Sequence, residues 1–330
     1  MKWGIIGAGL IGGKRALALS QLGETILLVA NHHEDRAIAL AEKYGLKYFT
    51  DYRSVTRDPD IDAVVVATSH DALSEITIDA LQHGKHVLVE KPAGRNASEV
   101  QAVVDAAKKS GKQVCVGFNH RFHPAIMEAY KICRSGQFGK LLYMRARYGH
   151  GGRIGYEKEW RFTPELSGGG QLIDQGSHLI DLSRFFSGED LELTHSMLKS
   201  YFWRAPAEDT GLLVLEGKDG KSATLFTSCV QWKNLFSFEI FFERAEVSVD
   251  GLGRSYGTET LTLYKMKPEL GPPDIEVLEF PGEDASFRAE TADFIGKING
   301  KPSLGATAED ALASISIIGS AYKKERKVFS

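Results

Sequence analysis

Two side chains suited to proton transfer, Asp174 and His178, stand four residues apart in the sequence. On a helix this spacing places both side chains on one face. A carboxylate beside an imidazole can tune the pKa of the imidazole for proton transfer near neutral pH. The triple glycine Gly168–Gly170 comes just before the pair and would let a ligand approach the backbone. The alternative interpretation is a simple charge pair on a helix surface.

A second informative stretch is Glu90-Lys91-Pro92, where an apolar run ends at a carboxylate, an ammonium group and a proline. Ligands of parallel sheets bind just past the carboxyl ends of the strands. A lysine at that point, followed by a proline that fixes the backbone in the trans or the cis form, can reach both a cofactor and a second ligand. A salt bridge on the protein surface is the alternative.

A glycine pattern near the N-terminus indicates a dinucleotide cofactor. An apolar run at residues 2–6 leads into Gly7-Ala8-Gly9-Leu10-Ile11-Gly12, and apolar side chains then recur at helical spacing. Strand, GxGxxG and helix form the context that dinucleotide binding requires. Gly7 permits the tight turn, Gly9 the approach of the pyrophosphate, and Gly12 close packing of helix on strand. The N-terminus of the helix then offers unpaired N–H groups to the phosphates.

The residue expected to contact the cofactor ribose is unusual. Asn31 follows the second predicted strand, where an acidic residue commonly binds the ribose 2′-hydroxyl. An amide can bind a hydroxyl, but it brings no negative charge to repel a 2′-phosphate. His32, His33 and, a turn later, Arg36 could favour a phosphate or could simply be solvated. NAD and NADP are therefore both open.

Alternating strands and helices position these residues. The continuous apolar runs are typical of strands buried on both faces, which indicates a doubly wound parallel sheet covered by helices, a Rossmann domain. Its strand ends should line one edge, the cofactor cleft: Gly7, Asn31, Thr68, Glu90 and Asn119.

The pattern changes near residue 120, which predicts a dinucleotide-binding domain at 1–120 and a second domain at 121–330. Strands separated by turn residues between 191 and 278 predict a large, mainly antiparallel open sheet with helices on one face, an α+β domain. We expect this second domain to bind substrate and to carry the interface of a homodimer or homotetramer through its sheet. A second core layer is the alternative for the aromatic-rich face of that sheet. The C-terminal helix is a candidate to pack back toward the first domain.

Composition limits the classes of function. The 330 residues carry a formal net charge of −3, which argues against nucleic-acid partners and membrane anchors. The cysteines Cys115, Cys133 and Cys229 form neither a disulfide framework nor a CxxC motif. His120 and His123 lack a third ligand at suitable spacing, so we expect no metal. Without a signal peptide or an apolar run of the roughly 20 residues that span a bilayer, a cytoplasmic location is expected.

The motifs together resemble the glucose-fructose oxidoreductase / inositol dehydrogenase / MocA (Gfo/Idh/MocA) family. In chain order they are GxGxxG at 7–12, Glu90-Lys91-Pro92, Gly117-Phe118-Asn119-x-Arg121-Phe122, Gly168–Gly170 and Asp174-x-Gly176-x-His178-x-x-Asp181. The resemblance covers nearly the whole chain. It implies NAD(P)-dependent oxidation of a sugar or polyol hydroxyl, or the reverse reduction of a ketone.

The resemblance also implies roles for three residues. His178 would be the general acid/base, and Asp174 would bind the substrate and orient that group. Lys91 would hold a substrate hydroxyl near the nicotinamide and lower the pKa of the acid/base, and its charge would stabilise a developing alkoxide. Two alternatives keep the same fold: a closed redox cycle with tightly held cofactor, as in glycoside cleavage, or a non-catalytic dinucleotide-sensing regulator like the galactose-pathway repressor.

The chain departs from the family at two cofactor positions. The family usually has an acidic residue at the position of Asn31, and it often reads Thr-Pro-Asn-x-x-His where this chain has Thr68-Ser69-His70-Asp71-Ala72-Leu73. His70 is a candidate for a nicotinamide or ribose contact. The predicted cofactor-binding residues are Gly7, Gly9, Leu10, Ile11, Gly12, Asn31, His32, Arg36, Thr68, Ser69, His70, Glu90, Lys91, Pro92 and Asn119.

The loop at 150–161 should overhang the cleft because it precedes the Asp174 segment. Its aromatic residues could stack on a sugar or base, and its arginines could clamp a phosphate or carboxylate. Salt bridges within the loop are the alternative, since Glu157 and Glu159 lie among the arginines. We expect a sugar, polyol or nucleotide-linked sugar as substrate. The predicted substrate-binding residues are Lys91, Asn119, Arg121, Arg153, Tyr156, Trp160, Arg161, Asp174 and His178.

Overall fold

The structure, a computed structural model, describes residues 1–328 and divides into two compact units. The first unit comprises residues 1–119 and 287–315. The second comprises residues 120–286 and the chain from 316 onward. Residues 287–315 thus belong to the first unit, whereas the division at residue 120 expected from the sequence puts them in the second domain.

A six-stranded parallel sheet forms the centre of the first unit, in the order β3-β2-β1-β4-β5-β6. The strands are β1 (Lys2–Ile6), β2 (Thr25–Ala30), β3 (Lys47–Phe49), β4 (Ala63–Val66), β5 (His86–Glu90) and β6 (Val114–Gly117). Every residue of β4 is buried, as expected for a strand covered on both faces. The strand order reverses between β1 and β4, the switch point at which such sheets bind ligands. The predicted Rossmann fold is confirmed.

Helices cover both faces of this sheet. They are α1 (Leu10–Gln21), α2 (Glu34–Tyr44), α3 (Arg53–Thr56), α4 (His70–Gln82) and α5 (Ala97–Ser110). The sequence pattern missed β3 and α3, because both are short and the residues of β3 are exposed and carry no apolar periodicity.

An eight-stranded sheet dominates the second unit, in the order β14-β13-β12-β11-β7-β10-β9-β8. The strands are β7 (Leu141–Gly149), β8 (Leu191–Lys199), β9 (Thr210–Gly217), β10 (Ser222–Ser228), β11 (Leu235–Phe242), β12 (Ala245–Asp250), β13 (Glu259–Lys265) and β14 (Asp274–Phe280). Only the β7–β10 pair is parallel among these neighbours, so the predicted mainly antiparallel sheet is confirmed. Phe236, Phe238 and Ile240 alternate along β11 on its buried face.

Three helices precede β8 in the second unit: α6 (Pro124–Ser135), α7 (Pro164–Ser167) and α8 (Ser177–Ser187). Short 3₁₀ turns lie at Asn119–Phe122, Tyr156–Lys158 and Trp160–Phe162. A π-helical turn, Leu172–Gly176, runs directly into α8. Such turns are rare and often mark functional sites.

The chain closes with α9 (Ser286–Ile298) and α10 (Ala308–Val328). Nearly all of α9 belongs to the first unit, where Phe294 packs edge-on against Trp3. Within residues 1–328 no helix combines the length and apolar character needed to cross a bilayer.

Candidate active site

The glycine loop after β1 has the geometry of a phosphate cradle. Gly7 has a φ of 102°, and a Cβ there would lie 2.3 Å from the carbonyl oxygen of Ala67. A Cβ on Gly12 would lie 1.9 Å from the Gly7 oxygen, so helix and turn pack without a side chain between them. A Cβ on Gly9 would meet nothing within 4 Å. Because neither a capping side chain nor an acidic residue occupies the first turn of α1, its N–H groups fit a pyrophosphate.

Asn31 ties the end of β2 to this glycine loop. The Ala8 N–H donates to Asn31 Oδ1 over 3.1 Å, and Asn31 Nδ2 donates to the His33 carbonyl over 2.8 Å. The side chains of His32, His33 and Arg36 next to it are exposed. The end of β2 carries the neutral Asn31 amide instead of a carboxylate that would repel a 2′-phosphate. The local charge therefore excludes neither NAD nor NADP.

The segment after β4 leads into α4 at the opposite side of the switch point. The Thr68 hydroxyl donates to the Ser69 carbonyl over 3.1 Å, and the Ser69 hydroxyl donates to Asp71 over 2.6 Å. His70 begins α4 with only 4% of its surface exposed. The two hydroxyl protons are therefore used in hydrogen bonds at the start of α4. The cofactor contacts expected of Thr68, Ser69 and His70 stay predictions.

Glu90, assigned to the cofactor from the sequence, contacts Arg15 in this structure. Its carboxylate accepts a hydrogen bond from Arg15 Nε on α1 over 2.8 Å, and Arg15 Nη2 lies 2.7 Å from the same oxygen in an ion pair. The next peptide bond, Lys91–Pro92, is cis, as the sequence analysis allowed. Glu90 therefore anchors the turn that carries Lys91, while Lys91 itself directly follows the end of β5.

Arg15 is a site-supporting residue that the sequence analysis missed. Its guanidinium is fully buried and also pairs with the buried Glu290 on α9 over 2.6 Å. Burial alone would lower the pKa of Arg15, but Glu90 and Glu290 outweigh it and raise that pKa above its ordinary value. A Cβ on Gly117 would lie 2.7 Å from Arg15 Nη2, so only a glycine leaves room for the guanidinium at the end of β6. One cation thus joins α1, β5, β6 and α9.

In the second unit, Asp174 and His178 lie on the continuous helix formed by the π-helical turn and α8. His178 is 5% exposed and Asp174 is partly buried. The glycines before them have a different role from the one expected. A Cβ on Gly169 would lie 1.9 Å from the Tyr322 hydroxyl, and one on Gly170 would lie 2.1 Å from the Glu208 carbonyl. These glycines admit neighbouring protein atoms rather than a ligand.

Glu208 caps the start of this helix and was not foreseen from the sequence. Its Oε1 accepts hydrogen bonds from the N–H groups of Gly170 and Leu172, over 3.1 and 3.0 Å, and from the Tyr322 hydroxyl over 2.8 Å. A carboxylate at a helix N-terminus satisfies orphan N–H groups and complements the helix dipole. Burial nevertheless raises the pKa of Glu208.

The arginines of the 150–161 loop are engaged with carboxylates. Arg161 Nε lies 3.2 Å from Asp174 Oδ2, and Arg161 Nη1 lies 3.5 Å from Glu159. Arg153 pairs with Glu159 over 2.6 Å. The ion-pair alternative therefore describes these two arginines better than the anion clamp, and Arg161 is the loop residue that reaches the Asp174 carboxylate.

The two aromatic residues predicted to bind substrate, Tyr156 and Trp160, differ in solvent exposure. Tyr156 is only 3% exposed and packs with Phe162 and Cys229 in a small core, so it supports the loop. Burial also raises the pKa of its hydroxyl. Trp160 is partly exposed, with the Arg161 guanidinium 4.9 Å from its ring centre.

Arg121, predicted from the sequence to bind substrate, is held in a buried ion pair. Its Nε and Nη2 donate to the two oxygens of Asp181, over 2.8 and 2.5 Å. Both side chains are buried, with 7% and 1% of their surfaces exposed, and the guanidinium also covers the ring of Phe185. This bidentate pair joins the 3₁₀ turn after β6 to α8. Asn119, which begins that turn, is the last residue of the first unit.

His120 is a further neighbour of His178 that the sequence analysis considered only as a metal ligand. The two imidazole ring centres are 3.7 Å apart, and the ring of Tyr148 lies 5.2 Å from that of His120. His123 Nδ1 lies 3.0 Å from Glu259 Oε2. In the described part of the chain, no group of three or more His, Cys, Asp or Glu residues is arranged to hold a metal ion.

Two models of one protein family match the chain. Residues 1–118 match the model described as "Oxidoreductase family, NAD-binding Rossmann fold", and residues 126–248 match "GFO/IDH/MocA C-terminal domain". The first match contains the glycine loop and Lys91, and the second contains Asp174 and His178. The chain belongs to the Gfo/Idh/MocA family of oxidoreductases, which confirms the resemblance seen in its motifs.

Curated relatives and a solved structure support this placement. Levoglucosan dehydrogenase of Pseudarthrobacter phenanthrenivorans is 30% identical over 63% of this chain and 56% of that protein. Inositol 2-dehydrogenase 2 of Saccharopolyspora erythraea is 30% identical over 67% of this chain and 64% of that protein. The chain therefore matches less than two thirds of either relative's length. A solved levoglucosan dehydrogenase, in complex with NADH and levoglucosan, has a TM-score of 0.86 at 23% identity and covers 98% of both chains, which shows a shared fold.

Proposed function

We propose that this protein is an NAD(P)-dependent dehydrogenase that oxidises a hydroxyl of a sugar or polyol, or reduces the corresponding ketone. The observation that carries the proposal is the helix start in the second unit, where a π-helical turn carries Asp174 and runs directly into α8, which carries the buried His178. The same chain carries the family's NAD-binding Rossmann fold, and its open cradle at Gly9 fits a pyrophosphate. The named dehydrogenases among its relatives support the reaction class.

The residues divide the chemistry among them. A bound nicotinamide supplies the hydride acceptor or donor. His178 takes the proton of the reacting hydroxyl, or returns it to the ketone oxygen in the reverse direction. Asp174 binds a substrate hydroxyl, and Arg161, 3.2 Å from its Oδ2, keeps that carboxylate oriented. Lys91, on the turn anchored by Glu90, offers a positive charge to the developing alkoxide.

A neutral sugar or polyol suits the second unit better than an anionic one. An anionic sugar needs cations that are not already paired with carboxylates. Arg153 and Arg161 both contact Glu159, and Arg161 also contacts Asp174. Arg121 is held by Asp181. This set of ion pairs favours a free polyol over a phosphorylated or nucleotide-linked sugar.

The cofactor pocket is proposed to accept NAD or NADP. The Asn31 amide at the ribose position carries no charge, and the exposed His32 and Arg36 would tolerate a 2′-phosphate. The first-turn acids Glu34 and Asp35 balance those cations, so neither cofactor is excluded. Binding constants for both reduced cofactors, measured by fluorescence titration, would rank them.

We expect the outer face of the eight-stranded sheet to form a homodimer or homotetramer interface. Large apolar side chains are exposed there on β7 and β14, including Tyr143 at 43%, Ile275 at 60% and Val277 at 55%. Tyr143 also stacks on Phe241 across the strands, with 4.2 Å between ring centres. Such a face and an exposed apolar edge strand are normally covered by a partner. A monomeric mass in light scattering at micromolar concentration would contradict this assignment.

One experiment tests the proposed reaction. The purified protein is mixed with free sugars, polyols, sugar phosphates and nucleotide sugars, each with NAD and with NADP, and the absorbance of the reduced nicotinamide is followed. Turnover of a neutral sugar or polyol is the expected result. Binding of NAD(P)H without turnover of any compound in the panel would favour a dinucleotide-sensing regulator. Cofactor that stays bound and never exchanges during turnover would favour a closed redox cycle.

A further inference from the structure

Exposed aromatic rings gather on two neighbouring loops of the second unit, and the proposed function uses none of them. Tyr201 and Phe202 lie on the loop between β8 and β9, with 64% and 53% of their surfaces exposed. Trp232, on the loop between β10 and β11, is 64% exposed. The ring centres of Phe202 and Trp232 are 4.8 Å apart, and the two rings are nearly perpendicular. Large apolar rings thus meet solvent together at one place.

An open cleft lies beside these rings. Its cavity of about 740 Å³ is lined by Tyr201, Phe202 and Trp203 together with Glu157 and Arg204, and we call it the aromatic cleft. Small-molecule sites typically enclose roughly 300–1,000 Å³ and combine aromatic walls with a few polar groups. Among the side chains that the structure describes, neither Glu157 nor Arg204 forms an ion pair. The aromatic cleft therefore offers one charged acceptor and one charged donor, which balance each other in charge.

A buried carboxylate fixes the loop that carries Phe202. Asp209 is fully buried, and its Oδ2 accepts hydrogen bonds from the backbone N–H groups of Phe202, over 2.8 Å, and Trp203, over 3.0 Å. The ring of Trp203 lies 5.1 Å from that of Phe202, and its Nε1 donates to the Cys229 carbonyl over 2.9 Å. The exposed ring of Phe202 therefore stands on a rigid loop. A ligand that binds a preorganised surface of this kind pays little for ordering the protein.

The backbone of Trp232 is held in an unfavourable conformation. Its φ is 56°, in the left-handed region that bulky residues rarely adopt. The Gln231 N–H donates to the His150 carbonyl over 3.1 Å, and a Cβ on Gly151 would lie 3.3 Å from Trp232 Cα, so the neighbouring loop packs directly against this backbone. Glycine would suit the position better, yet the chain has an exposed indole there. Such strained positions concentrate at ligand sites.

The loop at 150–161 connects the aromatic cleft with the catalytic helix. The Trp203 ring centre is 5.6 Å from that of Tyr156, and the next residue, Glu157, lines the cleft. Farther along the same loop, Arg161 Nε lies 3.2 Å from Asp174 Oδ2. One loop thus borders both the aromatic cleft and the carboxylate assigned to the substrate.

We propose that the aromatic cleft is a subsite for a second, neutral sugar ring. The apolar C–H face of a pyranose can stack on Phe202 and Trp232, and sugar hydroxyls both donate and accept hydrogen bonds. A phosphate would meet the Glu157 carboxylate, and an apolar peptide would bury both charges without partners. The inference deepens the proposed function and rests on it, since the second ring belongs to a glycoside whose reacting ring lies at Asp174 and His178.

Saturation-transfer NMR on the full chain measures sugar binding without any turnover. The probes are D-glucose and two disaccharides, maltose and cellobiose, and a disaccharide should bind the wild type more tightly than glucose. Trp232→Gly removes the indole and suits the left-handed backbone, so it should weaken disaccharide binding about tenfold while Tm stays the same or rises. Trp232→Phe should keep most of the binding. The control is Tyr48→Ala, which removes a 43% exposed ring of the first unit and should change nothing.

Kinetics identifies the source of the second ring. If it belongs to the substrate, Trp232→Gly raises KM for a disaccharide about tenfold and leaves KM for a monosaccharide unchanged. Lost disaccharide binding with both KM values unchanged supports the subsite but assigns it to a separate sugar. If the wild type binds disaccharide without turnover of any sugar, the proposed function fails while the subsite stands.

Three results overturn the subsite. The first is the absence of saturation transfer to either disaccharide in the wild type. The second is equal disaccharide affinity in the wild type and Trp232→Gly together with a lower Tm, which makes Trp232 a structural residue. The third is unchanged disaccharide affinity with a smaller mass of Trp232→Gly in light scattering, which makes the aromatic cleft an interface between copies of the chain.

Discussion

The buried cation Arg15 gives the sharpest prediction about what holds Lys91 in place. Replacing it by methionine keeps a similar side-chain length but leaves two carboxylates, Glu90 and Glu290, without their shared partner. Arg15 and Glu290 are completely buried, and the Glu90 side chain is 13% exposed. Water therefore cannot solvate the two unpaired carboxylates in Arg15→Met as it would solvate carboxylates on the surface.

The expected loss of stability is large. Removing one partner of a buried ion pair costs about 3–5 kcal/mol, because the remaining charge is left uncompensated. Replacing all three charged side chains by neutral groups costs much less free energy of unfolding, because no buried charge is left uncompensated. Arg15→Met should therefore lower the free energy of unfolding by about 3–5 kcal/mol. The triple variant Arg15→Met/Glu90→Gln/Glu290→Gln should recover most of that loss.

Urea unfolding followed by circular dichroism measures the stability of each variant, and fluorescence titration measures NAD(P)H binding. Because Glu90 precedes Lys91, Arg15→Met should reduce kcat more than it weakens cofactor binding. The surface arginine Arg53, about half exposed, provides a control, and Arg53→Met should change stability by less than about 1 kcal/mol. A loss below about 1 kcal/mol in Arg15→Met, or no recovery in the triple variant, would show that Arg15 does not compensate the two buried carboxylates.

Three further changes test other parts of the site. Burial raises the pKa of Glu208, so its stabilising contribution is largest at low pH and is lost as pH rises through that raised pKa. Glu208→Gln, which retains an oxygen acceptor, should therefore reduce the fall of the melting temperature with pH between about pH 4 and 8. An unchanged dependence of the melting temperature on pH would contradict this prediction. Asn31→Asp places a carboxylate at the ribose position and should weaken NADP binding about tenfold more than NAD binding, whereas equal losses would show only a damaged loop. Arg161→Gln removes the cation beside Asp174 and should lower kcat/KM for a neutral sugar about tenfold, or about 1.4 kcal/mol; Arg161→Lys should retain most of it, and an unchanged kcat/KM in Arg161→Gln would separate Arg161 from the chemistry.

The sequence predicted the Rossmann fold well, because its signals are local. The apolar runs and the glycine loop each occupy a few consecutive residues, and their order allows one sheet topology. Gly7 and Gly9 do have the tight turn and the open approach that their positions predicted. The placement of Asp174 and His178 on one helical segment was also readable from their spacing, although the π-helical turn has no spacing signal of its own.

Residues whose partners are distant in sequence were harder to assign. A charged side chain looks the same in sequence whether it faces a ligand or a carboxylate. Arg121 and Asp181 are 60 residues apart, and Arg15 and Glu90 are 75 apart, so neither pair could be matched without the fold. The core packing of Tyr156 could not be predicted for the same reason, since its neighbours include the distant Cys229.

Several expectations stay predictions. These are the catalytic roles of the three named residues, the oligomeric state and a cytoplasmic location.

Turnover and cofactor binding, measured in the same variants, test whether Lys91 and His178 are catalytic residues. With a substrate from the panel, Lys91→Ala and His178→Ala should each lower kcat about 100-fold or more, while the Kd of NAD(P)H stays within a few-fold of the wild type. His195→Ala, which removes an exposed histidine of β8, should leave both quantities unchanged. Wild-type turnover in both Lys91→Ala and His178→Ala would contradict the assignment of the catalytic set.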